Sequence, residues 1–342
     1  MPKFVLTDTV RQIAWKGDSL RVLDQRLLPG RIRHIDCRSA RDVARAIRSM
    51  TLRGAPLIGC AAAYGMALAA RKGSLRELKK AAETLRSARP TAVNLSHAVD
   101  HMLRLAGPSG GRDLGPRLAA AARAYFERDL DANRRMAKLG AALLGKNSRV
   151  ITYCNAGALA TSGLGTSLGV IRHGYRAGRV SHVYPCETRP YLQGSRLTLW
   201  ELMRDKIPAT LITDNMAAHL MHIERIDAVI VGADRIAANA DVCNKIGTYG
   251  LAIIARHHGV PFYVVAPTTT VDLSLPDGSR IPIEERSPAE VLMIGSFSIA
   301  PKGARARHFA FDVTPHALVT AIVTEKGVVR PANARNLRRV LA

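Results

Sequence analysis

Residues 150–169 constrain the fold more than any other stretch. Val150, Ile151 and Tyr153 read as a short buried strand, which ends on a lone thiol, Cys154. Small and hydroxylated residues follow, with Gly157, Gly163, Gly165 and Gly169 among them. The apolar Leu164, Leu168, Val170 and Ile171 then set a helix starting near Thr161 or Ser162. A strand, a glycine-rich turn and a helix in that order belong to an open α/β sheet. Ligands of such sheets sit outside the carboxyl ends of the strands. Glycines let backbone approach an anion, and a helix start offers free N–H groups with a positive dipole end. The thiol is therefore expected at the rim of an anion-binding crevice.

The same alternation continues to the C-terminus. Apolar runs at 149–153, 180–184, 209–213, 228–231 and 262–266 are separated by helical spacing, as in a parallel, doubly wound sheet. Residues 312–329 complete that lobe, with Thr314-Pro315 opening a short helix, and the basic tail from Arg330 is expected to pack loosely. Upstream the pattern differs. Residues 9–28 alternate around Lys16-Gly17-Asp18 as a hairpin, and 31–37 add a strand. Ser39 caps a helix through Val43, Ala46, Ile47 and Met50, and Pro56 starts an Ala-rich buried helix to about Ala70. Further helices are expected over 74–88, 94–106 and 113–144, with linkers at Arg89-Pro90-Thr91 and Gly107-Pro-Ser-Gly-Gly111. The expected fold class is α/β, with a helical N-terminal lobe carrying a small β start (1–147) and a Rossmann-like parallel-sheet lobe (148–342).

Composition excludes several function classes. A chain of 342 residues with 47% hydrophobic and 23% charged residues can bury a large core. No apolar run approaches the roughly 20 residues of a membrane helix, and Met1-Pro-Lys-Phe-Val carries no signal-peptide core. Cys37, Cys60, Cys154, Cys186 and Cys243 are scattered, odd in number and lack C-x-x-C spacing. That usage fits a reducing, cytoplasmic setting without disulfides or a zinc site. Fifty Lys and Arg against 27 Asp and Glu leave a net charge of +23. The excess forms no long run and is not interleaved with aromatics, so it reads as Arg-rich solvated faces rather than a nucleic-acid platform.

Four groups could carry chemistry. In Arg53-Gly54-Ala55-Pro56 a guanidinium and a helix start converge, as in a phosphate clamp. Tyr184-Pro-Cys-Glu-Thr-Arg-Pro-Tyr-Leu-Gln-Gly-Ser-Arg196 brings Glu187, Arg189 and Gln193 to the same rim. Glu187 lies about twenty positions beyond Gly165, where a dinucleotide fold keeps its ribose-binding acid. The glycine spacing is G-x-G-x-x-x-G, however, and Cys154-Asn155 stand where the first tight-turn glycine belongs, so no nucleotide cofactor is expected. Asp234 closes the fourth strand, and Asn244-Lys245 sit at the next turn before a helix. A carboxyl and a thiol at two strand ends fit an acid/base pair beside an anion. His219 and His222 lie three apart with no third ligand in view, so no metal site is expected.

These residues sit in ordered blocks that resemble the S-methyl-5-thioribose-1-phosphate isomerase family. The blocks are Arg53-Gly-Ala-Pro-Leu-Ile-Gly59, Pro90-Thr-Ala-Val-Asn-Leu95, Cys154-Asn-Ala-Gly-Ala-Leu-Ala160 and Glu187-Thr-Arg-Pro-Tyr-Leu-Gln-Gly194. Thr213-Asp-Asn-Met216, Val231-Gly-Ala-Asp-Arg-Ile-Ala-Ala-Asn239 and Asn244-Lys-Ile-Gly-Thr-Tyr-Gly250 continue the series. The resemblance runs from Ile13-Ala-Trp to Phe311-Asp-Val-Thr-Pro-His316. It implies conversion of an aldose 1-phosphate to the ketose 1-phosphate in methionine salvage, by a homodimer without cofactor. It implies Cys154 and Asp234 as the catalytic pair, and Arg53, Gly54, Ala55, Arg89, Gln193, Asn244 and Lys245 as substrate-binding residues. Tyr153, Cys186 and Cys243 depart from the family pattern beside the motif residues and bear on substrate detail. The family is related to regulatory subunits of the translation initiation exchange factor and to archaeal ribose-1,5-bisphosphate isomerases. The alternatives are therefore ribose 1,5-bisphosphate or 5-deoxyribose 1-phosphate as substrate, or a non-catalytic regulatory subunit. The partner expected is a small sugar phosphate, not nucleic acid or membrane.

Overall fold

The computed structural model describes residues 11–89, 93–108 and 111–342. The chain start at Met1, the Pro90-Thr91-Ala92 linker and Ser109-Gly110 lie outside these residues.

The chain opens on a three-stranded antiparallel meander, β1 (Ile13–Trp15), β2 (Leu20–Leu23) and β3 (His34–Cys37). Five helices follow: α1 (Ala40–Arg48), α2 (Ala55–Ala70), α3 (Leu75–Arg86), α4 (Val93–Ala106) and α5 (Leu114–Ala141). Ser39 caps α1 by accepting from Asp42 N at 3.2 Å, while the Asp42 carboxylate accepts from Arg38 N at 3.2 Å. Helix α2 is buried along nearly its whole length, because Ala and Gly let its neighbours come close. A Cβ on Gly59 would lie 2.9 Å from the Asn94 carbonyl oxygen of α4.

Helix α5 spans 28 residues, about 42 Å, and joins two cores. Leu118, Ala122 and Tyr125 pack with α2, whereas Ala132, Met136 and Ala141 pack with the sheet that follows. Gly140 meets Val170 so closely that a Cβ would stand 2.4 Å from its side chain.

That sheet has six strands: β4 (Ser148–Thr152), β5 (Val180–Pro185), β6 (Ala228–Val231), β9 (Phe262–Val265), β14 (Ala321–Thr324) and β15 (Gly327–Val329). Their spatial order is β15-β14-β9-β6-β4-β5, parallel except for the β14–β15 hairpin. From β4 the chain moves one way to β5 and then returns to the other side for β6. The carboxyl ends of β4 and β6 thus flank the point where strand order reverses. A second sheet, β10 (Val271–Asp272), β7 (Arg235–Ala237), β8 (Val242–Lys245) and β13 (Phe311–Thr314), stands beside that end, and β11 (Met293–Ile294) with β12 (Phe297–Ser298) forms a separate hairpin.

The structure departs from the sequence expectation in several places. The run at 209–213 makes only isolated bridges, Val183 to Ala209 and Cys186 to Ile212, and no strand. Helix α6 (Ser167–Arg176) starts later than Thr161, because a 3-10 turn at Ala158–Ala160 and a tight glycine loop precede it. Asn244 and Lys245 end β8 rather than sitting in a turn, and the following helix starts at Thr248. The second sheet was not anticipated, since its short strands lack a long apolar run. The basic tail is ordered as a helix (Ala334–Leu341) capped by Asn333, which accepts from Asn336 N at 2.9 Å.

Leu337 of that tail is fully buried in the core with Val329 and Ala332. Leu337→Ala should therefore destabilise the protein by about 2–5 kcal/mol in urea unfolding. A change under about 0.5 kcal/mol would show a tail that does not share the core.

Candidate functional site

Cys154 and Asp234 are 80 positions apart in sequence, and lateral strand pairing brings them together. In the β4–β6 ladder Thr152 pairs with Ile230, and neighbouring strands run about 4.8 Å apart. Cys154 lies two residues past the end of β4 and Asp234 three past the end of β6. Both line one cavity of about 640 Å³, open mouth included. All seven substrate-binding candidates line it too: Arg53, Gly54, Ala55, Arg89, Gln193, Asn244 and Lys245. Glu187, the candidate ribose acid, does not.

Local backbone explains how each group is held. Cys154 has a positive φ of 62°, a left-handed turn that lifts the thiol out of line with β4. Its N–H donates to Thr188 Oγ1 at 2.8 Å, and its carbonyl accepts from Thr198 Oγ1 at 2.5 Å. The Asp234 N–H donates to the Cys243 carbonyl of β8 at 2.9 Å, which ties the end of β6 to the second sheet. Lys245 stands directly across from Phe311 in the β8–β13 ladder, so its ammonium lies 4.5 Å from that ring. The Lys245 Nζ also donates to the Ala310 carbonyl at 2.7 Å.

Gly54 opens helix α2 onto the cavity. Its φ is 99° and it has no side-chain cap, leaving first-turn N–H groups without helical acceptors. A Cβ at Gly54 would meet Ala160 Cα at 2.5 Å, so only glycine fits. Arg53, just before it, is buried. Its Nε donates to Gln25 Oε1 at 3.1 Å, its Nη1 to the Asn155 carbonyl at 2.7 Å, and its Nη2 to Asn155 Oδ1. Arg89 reaches Glu284 at 3.4 Å and lies 5.9 Å over Phe311. The Gln193 side chain is buried, and its Oε1 has no partner among the described residues.

Part of the glycine loop after the thiol is turned to the protein rather than to the cavity. Gly157 packs so tightly on Glu201 that a Cβ would lie 2.2 Å from Oε2. Ala158 N and Leu159 N donate to that carboxylate at 2.8 and 3.2 Å. A protein acid has already taken these two donors, whereas Ala156, Ala160, Thr161 and Thr166 of the same loop still line the cavity beside the start of α2. Sequence reasoning missed Gln25 and Glu201, which carry no signal beyond ordinary polar residues. Asn155 was visible beside Cys154, but its two-sided contacts were not.

Burial sets the charge states. It pushes the Asp234 carboxyl above the usual range, and Lys245, Arg89 and Arg53 only partly pull it back. Burial likewise raises the Cys154 thiol, opposed by Lys245 and Arg53 and reinforced by Asp234. Lys245 is lowered by burial. Arg53 and Lys245, with no ion pair among the described residues, thus face two groups that burial pushes toward their protonated forms, an excess that suits an anion. The arrangement can hold a phosphate and offer a proton donor and a proton carrier side by side.

A family model described as the Initiation factor 2 subunit family matches residues 51–331. A Chloroflexus aurantiacus protein named methylthioribose-1-phosphate isomerase is 52% identical over 341 residues, covering 97% of this chain and 98% of its own length. An Anaeromyxobacter protein of the same name is 55% identical over 327 residues, with 95% of each covered. The crystal structure of 5-methylthioribose 1-phosphate isomerase from Pyrococcus horikoshii OT3 has a TM-score of 0.92 at 42% identity, covering 100% of this chain and 98% of that one. The crystal structure of translation initiation factor eIF-2B, subunit delta, from A. fulgidus has a TM-score of 0.85 at 44% identity, covering 97% and 99%.

Cys154 is the one described cysteine that keeps partial solvent exposure, although its thiol points into the cavity; the other four are buried. Iodoacetamide should label it ahead of the other four, with a rate still climbing above pH about 9. Lys245→Met removes a neighbouring cation and should move that profile further up. A plateau below pH about 8 would contradict a thiol raised by burial.

Proposed function

The chain belongs to the Initiation factor 2 subunit family, and on that premise we propose that it is an aldose–ketose isomerase. Its reaction converts S-methyl-5-thioribose 1-phosphate to S-methyl-5-thioribulose 1-phosphate in methionine salvage. The observation that carries this reading is the convergence of Cys154, Asp234, Arg53, Arg89 and Lys245 on one cavity. An initiation-factor subunit structure is also similar, at 44% identity and a TM-score of 0.85, below the 52% and 55% identity of the relatives that bear the isomerase name. A module that only binds has no use for a thiol and a protonated carboxyl held together. We further take 1–147 and 148–342 as its two domains, a cytoplasmic homodimer as its working state, and neither nucleic acid nor membrane as a partner.

The phosphate on C1 sits against Arg53 and the N–H groups at the start of α2, with Lys245 opposite. A 1-phosphate locks the sugar as a ring, so no free aldehyde is available for simple enolisation. Asp234 gives its proton to the ring oxygen, and the bond between that oxygen and C1 breaks. Hydrogen then moves from C2 to C1, either as a proton through an enol phosphate or directly as a hydride. In the first route the Cys154 thiolate takes the C2 proton and returns it to C1, while the C2 hydroxyl proton restores Asp234. In the second the thiolate takes the C2 hydroxyl proton and passes it back to Asp234. Lys245 and Arg53 favour the thiolate this step requires, against the burial that opposes it. Gln193 Oε1, buried with no partner among the described residues, accepts from a sugar hydroxyl, and Asn244 lines the same cavity.

The C5 substituent is assigned from a recess behind Asp234. Ile58, Cys243, Ile281, Pro282 and Phe311 give it apolar walls. Its two guanidiniums already face carboxylates, Arg89 with Glu284 at 3.4 Å and Arg235 with Asp272 at 3.5 Å. A methylthio group fits such walls, whereas a second phosphate would find its cations compensated.

Purified protein assayed on the three candidate sugar 1-phosphates should prefer the methylthio substrate over the 1,5-bisphosphate by about 10²-fold or more in kcat/KM. Equal or reversed preference would defeat the assignment of the recess. Cys154→Ser and Asp234→Asn should each lower kcat by at least about 10²-fold, and near wild-type turnover in either would remove it from the pair. In deuterium oxide a hydride route leaves C1 of the product unlabelled, and a proton route labels it.

A further inference from the structure

Glu201 lies outside the cavity, fully buried in the short helix α7 (Leu199–Arg204), and the reaction described above gives it no part. Its carboxylate nevertheless receives four donors. Oε1 accepts from Asn155 Nδ2 at 2.9 Å and from Leu159 N at 3.2 Å. Oε2 accepts from Ala158 N at 2.8 Å and from Arg172 Nη2 at 2.9 Å. Arg172 is itself buried and shared with Asp205, to which its Nε donates at 2.7 Å. A full complement of partners is what makes a buried charge tolerable, and it also makes the arrangement rigid.

The consequence lies in the Asn155 amide. Such a group has a donor end and an acceptor end, and either could face inward. Both Glu201 oxygens already accept from other donors, so Glu201 presents an acceptor to Asn155 and draws the amide NH₂ toward itself. Thr198 Oγ1 accepts from that NH₂ as well, at 3.1 Å. The amide oxygen is thereby turned to Arg53, whose Nη2 donates to it. The same Thr198 hydroxyl donates to the Cys154 carbonyl at 2.5 Å. We propose that Glu201 is a positioning residue, acting through the Asn155 side chain to hold Arg53 in register with Cys154. This inference rests on the proposed role of Arg53 in holding the substrate phosphate. Arg172, which Asp205 holds from its other side, keeps the Glu201 side chain in place, and Glu201 opposes the lowering that burial imposes on the Arg53 guanidinium.

Arg53 would hold the phosphate in the ground state and the transition state alike, so its misplacement acts on binding. Glu201→Gln keeps the volume but can offer a donor to Asn155. It should raise KM at least about tenfold while kcat changes less than about threefold, and weaken the affinity for inorganic phosphate in parallel. Asn155→Ala should do the same, leaving the bond from Arg53 Nη1 to the backbone carbonyl intact. The double variant should match Asn155→Ala within about twofold, because one path has been cut twice. A lowered melting temperature with unchanged KM, or effects that multiply in the double variant, would reduce Glu201 to a structural role. If Glu201→Gln yields no soluble protein, Asn155→Ala decides alone, and wild-type KM and phosphate affinity there overturn the proposal. Wild-type protein that binds phosphate but turns over no sugar phosphate would defeat the isomerase reading. The phosphate affinities of the variants would then still judge the relay.

Discussion

The parallel ladder between β4 and β6 is the constraint on which the site depends. It sets Thr152 beside Ile230, so that whatever follows each strand emerges at the same edge of the sheet. Strand order reverses at this pair, and no crossover helix covers the gap between their carboxyl ends. The left-handed turn at Cys154 and the tie from Asp234 N to Cys243 then set how far each chain strays from its strand. A slip of one residue in this ladder would turn alternate side chains to the opposite face and dissolve the pair.

Charge is the second ordering principle. The cavity gathers Arg53, Arg89 and Lys245 where water is scarce; carbonyl and amide oxygens hold Arg53 and Lys245 without cancelling their charge, whereas Arg89 faces the Glu284 carboxylate. Low solvent exposure keeps Asp234 and Cys154 toward their neutral forms. The two effects are linked, since an anion drawn in by the cations meets proton-bearing groups rather than like charges. The network around Glu201 extends the same logic one layer outward, with a buried acid orienting an amide that orients a guanidinium.

Much of this could be read from residue order. Ser39, Pro56 and the Ala-rich run mark α1 and α2 because caps and helix starts are local chemistry. The apolar runs that became β4, β5, β6 and β9 were recognisable because buried parallel strands are continuously apolar. The run at 209–213 looked the same and is not a strand, since the β5 edge takes it only as isolated bridges. The tail looked loose because its Arg residues mask one inward face, where Leu337 enters the core. The glycine loop misled in part, for a related reason. Glycine signals close approach, but not whether the approaching group is a ligand or, as for Gly157, another part of the chain.

Residue identity alone determined the helix starts, the main strands and the set of chemically able side chains, because each depends on neighbours within a few positions. Tertiary structure alone decided the short strands of the second sheet, the pairing of Lys245 with Phe311, and the partners of Glu201 and Asn155. Those contacts join positions tens of residues apart. Their geometry comes from how sheets and helices stack, and no local pattern encodes it.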